Sequence, residues 1–180
     1  MIQYTSAYDF IVSLLAIGII FVIVSNKQQT YESRYEYFSV LTKATFIRIG
    51  AGLFFSYIYL IYYGDGDTVF YYSGAGTIVN MAKKDVFAFI QLMFGERTPE
   101  LRSLFDWTTG YPTYFKDANA WAVCRFTVPF YIAGLGSYWA STIIMNAVLM
   151  IPMWRFYTML IRMYPQQRKY MAIALFYMPS

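Results

Sequence analysis

The sequence predicts an all-α, polytopic helical membrane protein with interfacial amphipathic helices in a large outer loop. Three observations carry that reading. Of the 180 residues 58% are hydrophobic and 22% aromatic, only 13% are charged, and mean hydropathy is +0.40, outside the usual range of a water-soluble domain. Several charge-free runs reach or approach the ~20 residues that cross a bilayer as a helix. The net charge of +4 is spread over basic residues that flank those runs, where they meet lipid headgroups and set topology, so nucleic acid is not an expected partner. Histidine is absent and Cys124 is the only cysteine, which excludes disulfides within the chain, zinc fingers, Cys/His nucleophilic pairs and histidine acid–base catalysis. Chemistry therefore falls to carboxylates, Lys/Arg, Tyr and hydroxyls.

The first span is placed at 9–25, around the uncharged run Phe10 to Ser25. A signal peptide is the rival reading. The segment before the run carries Asp9 and no Lys or Arg, and no small-residue cleavage site follows Ser25, so a retained helix is expected. A polar connector, Asn26 to Tyr37, follows and holds Lys27, Glu32, Arg34 and Glu36. The second span is placed at 41–63. Lys43 and Arg48 lie in its first turns, Gly50 and Gly52 would let another helix approach closely, and Tyr57, Tyr59, Tyr62 and Tyr63 crowd its far end like an interfacial belt. The positive connector places the near end in the cytoplasm, so residues 64–119 form a non-cytoplasmic loop.

Within that loop the apolar stretches are short, as in Val86 to Phe94, and charges separate them at Lys83-Lys84-Asp85, Glu96-Arg97 and Lys116-Asp117. Such lengths suit helices lying in the interface. Pro99, Gly110 and Pro112 break the segment, and Trp107, Tyr111, Tyr114 and Phe115 give it an aromatic surface. The next run, Phe126 to Trp154, is uncharged throughout and longer than one crossing needs, with a break expected at Gly134-Leu135-Gly136-Ser137. Two readings follow: 120–134 is a short or re-entrant helix and only 138–160 crosses, or both halves cross as a hairpin. Arg162, Arg168 and Lys169 beyond the run favour the single crossing. A further helix starts at 170–180 and stops unfinished at Met178-Pro179-Ser180, from which a longer polytopic protein is expected.

The candidate chemistry gathers at Gly64-Asp65-Gly66-Asp67-Thr68, where a long apolar run ends in two carboxylates flanked by glycines. The glycines free the backbone, so Asp65 and Asp67 could converge on one cation or one substrate hydroxyl; alternatively Asp67 and Thr68 cap a helix beginning at Val69. Arg48, inside an apolar segment, must pair, snorkel or meet a phosphate. Arg125, at the entrance to the third run, would reach a lipid phosphate or pair with Asp117.

These residues carry a family resemblance. A transmembrane helix ending in aromatic residues, then Gly66-Asp67-Thr68 with Tyr71 and Tyr72, then a long amphipathic loop and a Pro/Gly-containing apolar run, resembles the N-terminal region of bacterial GT-C-type membrane glycosyltransferases. Phe126-Thr127-Val128-Pro129-Phe130, Gly136-Ser137-Tyr138, Arg162-Met163-Tyr164-Pro165 and the closing Leu175 to Ser180 are similar to members of that class. The resemblance implies a polyprenyl-phosphate-linked sugar as donor, transfer on the non-cytoplasmic face of the inner (plasma) membrane, and Asp67 as the loop acid with Asp65 beside it. The pair would orient or deprotonate the acceptor hydroxyl, directly or as ligands of a divalent cation such as magnesium or manganese, with Arg48, Arg125, Tyr71 and Tyr72 binding substrate. It also implies more helices than these residues hold, so they are not expected to catalyse transfer alone. Two other classes stay open: a non-catalytic integral subunit contacting other membrane subunits through Gly50/Gly52 and the aromatic loop, and a lipid or solute transporter with a broken helix at Gly134–Gly136.

Overall fold

A computed structural model describes residues 6–64 and 66–177, and among these residues every regular element is helical. Helix α1 (Ala7–Glu32) starts at a capping box: the Asp9 backbone N–H donates to the Ser6 hydroxyl oxygen (3.2 Å) while the Asp9 carboxylate accepts from the Ser6 N–H (3.2 Å) and O–H (2.7 Å). These bonds allow Asp9 to sit only 8% exposed. At its other end α1 runs through Glu32, absorbing half of the expected connector. Gln and Lys are good helix formers, and Gln28 ties the extension down: its amide N–H₂ donates to Glu32 one turn on (3.1 Å), and its carbonyl accepts from the Thr42 N–H (3.0 Å).

The second long element is a composite of a 3₁₀ turn (Glu36–Val40), α2 (Leu41–Tyr57) and a π turn (Ile58–Tyr62). It starts earlier than the hydropathy implied, at Glu36, whose carboxylate accepts from Arg168 (2.8 Å). Beyond it come α3 (Asp67–Lys84), α4 (Val86–Phe94), the single turn α5 (Pro99–Ser103), α6 (Ala118–Ala133), α7 (Tyr138–Met163) and the short α8 (Arg168–Ala172), followed by a π turn Ile173–Tyr177. The last of these covers the described part of the expected fourth helix; Met178, Pro179 and Ser180 lie outside the described residues.

Three helical stretches are long and apolar enough to cross a membrane: Ala7–Glu32, Glu36–Tyr62 and Tyr138–Met163. Only about a fifth of each apolar window is buried within the chain (17, 22 and 22%). Phe10, Leu14, Ile19, Phe21 and Val22 of α1 all face outward. A surface this apolar is costly in water and costs nothing in lipid, which is what an integral membrane protein requires.

The helices form two packed groups. In one, α1, α2 and α7 lie against each other around Val12, Ala16, Ile49, Ala140 and Ile143. Gly52 meets α7, where the Asn146 side chain occupies the space a Cβ would need (2.2 Å), whereas a Cβ at Gly50 would meet nothing within 4 Å. Of the two glycines, Gly52 is the one at a close approach within the chain.

In the other group α3 packs along α6 and is closed off by α4 and α5. Its core comprises Ile78 and Met81 of α3, Leu92 of α4, Leu101 of α5, and Trp121, Cys124 and Val128 of α6. Close approach comes from Gly74-Ala75-Gly76: a Cβ on Gly74 would stand 2.6 Å from Cys124 Sγ, and one on Gly76 3.0 Å from the Tyr131 ring. The segment expected to be a loop with separate interfacial helices thus owns a buried core. It still presents an apolar outer face, with Val86, Phe87, Ile90 and Phe94 exposed along α4. Helix α6 has 16 residues, about 24 Å at 1.5 Å per residue, short of the ~30 Å hydrocarbon thickness.

A four-residue turn joins α6 to α7. Leu135 (φ 52°) and Gly136 (φ 73°) take left-handed conformations, and Gly134 is demanded by space, since a Cβ there would lie 2.7 Å from the Ser141 backbone nitrogen. The Tyr8 hydroxyl donates to the Leu135 carbonyl (2.8 Å) and the Tyr72 hydroxyl to the Gly136 carbonyl. Both helix groups are thereby tied to the same turn.

Candidate functional site

The Gly64–Thr68 turn stands where the end of α2 meets the start of α3. Phe55, Tyr59, Tyr63 and Tyr62 form a chain of tilted and edge-on ring contacts with centroids 4.6, 5.5 and 5.1 Å apart. Gly64 has φ +72°, a left-handed position that glycine occupies without strain. Gly66 is needed for a different reason: its backbone is extended, and a Cβ would fall 2.3 Å from the Tyr59 ring. Asp65 lies outside the described residues.

Helix α3 begins at Asp67 rather than Val69. Gly66 is its N-cap with no side-chain capping bond, so the capping role open to Asp67 or Thr68 is not taken by either. Asp67, in the first turn, is exposed and favourably placed relative to the helix dipole. Its Oδ1 accepts the Tyr114 hydroxyl at 2.5 Å, across 47 residues of sequence. That bond, together with burial, pushes the Tyr114 phenol up to about 12, so Tyr114 stays protonated at neutral pH. The Tyr114 ring packs against Tyr71 (5.2 Å) and edge-on to Phe70 (5.8 Å). Burial first, then the Asp67 charge, raises the Tyr71 phenol as well. Thr68 accepts from Tyr138 at the start of α7 (3.1 Å).

The other expected ligands separate. Tyr72 is buried on the opposite side of α3, 4.9 Å from the Tyr131 ring and 5.2 Å from Tyr138, and belongs to the packing that holds the α6–α7 turn. Arg125 pairs with no carboxylate among the described residues. It caps the C-terminus of α4, its Nε donating to the Leu92 carbonyl (2.6 Å) and its Nη2 to that of Gly95 (2.5 Å), two acceptors a helix end leaves open. Asp117, its expected partner, caps α6 through the Asn119 and Ala120 N–H groups. Arg48 has no contact with Asp67 among the described residues; it lines a cavity with Thr142 and Asn146 of α7 that reaches Thr68 at the start of α3. Among the described residues, which do not include Asp65, no group of three or more typical ligand side chains could hold a metal ion.

Sequence marks Tyr114 as part of the loop's aromatic surface but not as the partner of Asp67, because nothing local marks a tyrosine that folds back on a distant carboxylate. Asp106, also unmarked, organises the strip beside it. It accepts from the N–H groups of Thr108 (2.8 Å) and Thr109 (3.0 Å), from the Thr108 hydroxyl (2.6 Å) and from Lys84 (2.7 Å), leaving Trp107 projecting outward. The Lys84 ammonium first, then the Thr108 hydroxyl and the backbone donors, hold its carboxyl far below the ordinary 3.8. A carboxylate whose folded value is depressed contributes order that is fully present above the unfolded value and is lost as pH falls from there. Exchange protection of the Thr108 and Thr109 amides, corrected for intrinsic rate, should therefore be constant from pH 8 to 5 and decline below about pH 4. Asp106→Asn should abolish it at neutral pH. Equal protection in the variant would show that other bonds hold the turn.

The geometry defines a class: an all-helical chain with three helices fit to cross a membrane and a carboxylate–phenol pair at the start of a fourth, shorter helix. Comparison with protein-family models, curated proteins and solved structures found no match to this chain.

Proposed function

We propose that the chain is part of a bacterial inner-membrane glycosyltransferase of GT-C type that transfers a sugar from a polyprenyl-phosphate donor, with residues 64–119 on the non-cytoplasmic side. The observation that carries this reading is the Asp67–Tyr114 pair beside the aromatic end of α2. Asp67 is exposed, its Oδ1 is held by Tyr114, and its Oδ2 has no partner among the described residues. In the reaction the acceptor hydroxyl oxygen bonds to the anomeric carbon, the carbon–oxygen bond to the lipid phosphate breaks, and the hydroxyl proton passes to Asp67 Oδ2. Tyr114 fixes the carboxylate plane, and Tyr71 flanks it as a substrate-facing ring. Asp65, separated from Asp67 by one residue in sequence, is proposed as a second carboxylate, with a divalent cation held by the two as the variant form of the same chemistry.

Asp67→Asn, made in the protein's complete reading frame, should lower sugar transfer by at least ~100-fold, as expected for loss of a general base, with expression and thermal midpoint unchanged. Turnover at the wild-type rate would remove Asp67 from the chemistry. A second reading, an integral subunit of a larger complex, is favoured by the open surface at Gly50, which leaves room for a helix from another subunit.

A further inference from the structure

A cavity of about 560 Å³ opens between α2, α7 and the Ile173–Tyr177 turn, within the size range of small-molecule sites. Most of its wall is apolar: Ile47, Phe54, Phe55, Ile58, Met145 and Leu175. Into this wall α2 sets Arg48, Gly52 and Ser56, spaced four residues apart and so on one helix face, while α7 sets Thr142 and Asn146, likewise four apart. Arg48 Nε is buried with no hydrogen-bond partner. Among the described residues the cavity lining holds no carboxylate and Arg48 has no ion pair.

A guanidinium in a membrane-spanning segment is costly unless something compensates its charge. Snorkelling would lead the side chain out along α2 to water, about 7.5 Å back toward Lys43 at 1.5 Å per residue. Instead its Nε is turned inward. The neighbouring groups supply further donors. Gly52, one turn on, has no Cβ because the Asn146 amide occupies that space. The amide lies there with one bond, from Nδ2 to the Thr142 carbonyl (2.9 Å), and a second N–H to spare.

We propose that this cavity binds the oxyanion head of an amphiphile, a phosphate received by Arg48 and Asn146, with its apolar chain along Ile47, Phe54 and Phe55. Unpaired positive charge selects an anion, the planar guanidinium suits a phosphate, and the apolar walls select a chain over a bare ion. One end of the cavity reaches Thr68, the residue after Asp67, but the Arg48–Asn146 end stands whether or not the transferase reading does.

The test uses the whole chain in dodecyl maltoside micelles and a dodecyl phosphate bearing a diazirine near its chain end, with labelled peptides located by mass spectrometry. Saturable labelling of the α2 peptide holding Phe54 and Phe55 is expected, competed by dodecyl phosphate and not by dodecyl trimethylammonium. Arg48→Gln should weaken it at least tenfold, Asn146→Ala to a lesser degree, and Arg48→Lys should retain most of it at an unchanged helical content. Competition by inorganic phosphate as strong as by dodecyl phosphate supports the oxyanion site and assigns it to a soluble anion. Labelling that is unaltered in both Arg48→Gln and Asn146→Ala, or no stronger at α2 than on the lipid-facing side of α1, would overturn the proposal. Should Arg48→Gln not fold, Asn146→Ala decides it by the same readout, unaltered labelling in that variant overturning the proposal.

Discussion

Trp121→Ala is expected to destabilise the α3–α6 group by about 3–5 kcal/mol, the largest effect of any single side-chain truncation in this chain. Trp121 is 1% exposed and is the largest fully buried side chain among the described residues. Its ring meets Phe115 edge-on at 5.1 Å, and Phe115 meets Phe105 in the same way at 5.5 Å. Removing the indole takes away a ring that joins α6 to the strip carrying Tyr114 and leaves a cavity in the core shared with Cys124 and Val128. The indole Nε1 is buried without a hydrogen-bond partner, so part of the ring's contribution is already offset in the wild type. Trp121→Phe should for that reason cost much less, about 1 kcal/mol or under, because it keeps the aromatic contact and deletes the unsatisfied donor. The measurement is the midpoint of denaturation of the purified chain in mild detergent titrated with dodecyl sulfate. Similar midpoints for the two variants would mean that the indole is not packed as described.

The contrast between these variants marks where sequence reasoning reached and where it stopped. The three long spans were legible because each is a continuous run of one chemical character, and hydropathy reads continuity without knowing what the run touches. Their ends were less legible. Helix α1 outlasts its apolar run because Gln28 finds partners at Glu32 and Thr42, the second of them in another helix. The core around Trp121 escaped notice because its apolar stretches are short and punctuated by charge, which looks the same whether each helix lies on lipid or the set packs on itself. Gly74-Ala75-Gly76 was the available signal: three small residues ahead of Ile78 and Met81 on one helical face. Capping signs were available too, since Asp85, Thr98 ahead of Pro99, and Asp117 each sit at the helix start they cap. At the candidate site Asp67 could be found as a carboxylate beside glycine at the end of an apolar run. Its partner Tyr114 could not, and neither could the capping role of Arg125, because both depend on contacts across 30 or more residues.

Gly134→Ala should be the most damaging of the conservative substitutions, at about 2–3 kcal/mol, near the top of the usual range for overpacking. The added methyl would meet Ser141 at its hydroxyl (2.4 Å), its backbone nitrogen (2.7 Å) and its Cα (2.9 Å). A side chain can rotate away, but a backbone in the first turn of α7 cannot. That turn is itself fixed, with the Ser137 carbonyl accepting both the Ser141 N–H (3.0 Å) and its hydroxyl (2.7 Å). Relief must therefore come from moving α6 off α7. The same displacement shifts the Gly136 carbonyl that holds Tyr72 and the Tyr138 hydroxyl that holds Thr68, both in the first two turns of the helix that Asp67 begins. Loss of packing at one turn should thus appear as altered geometry at the carboxylate. Gly50→Ala is the control, since a Cβ there meets nothing and alanine is a better helix former than glycine. The expected result is a lowered denaturation midpoint and increased exchange at the α3 N-terminal amides for Gly134→Ala, with Gly50→Ala unchanged or slightly stabilised. Equal midpoints for the two would separate the α6–α7 turn from the anchoring of Asp67.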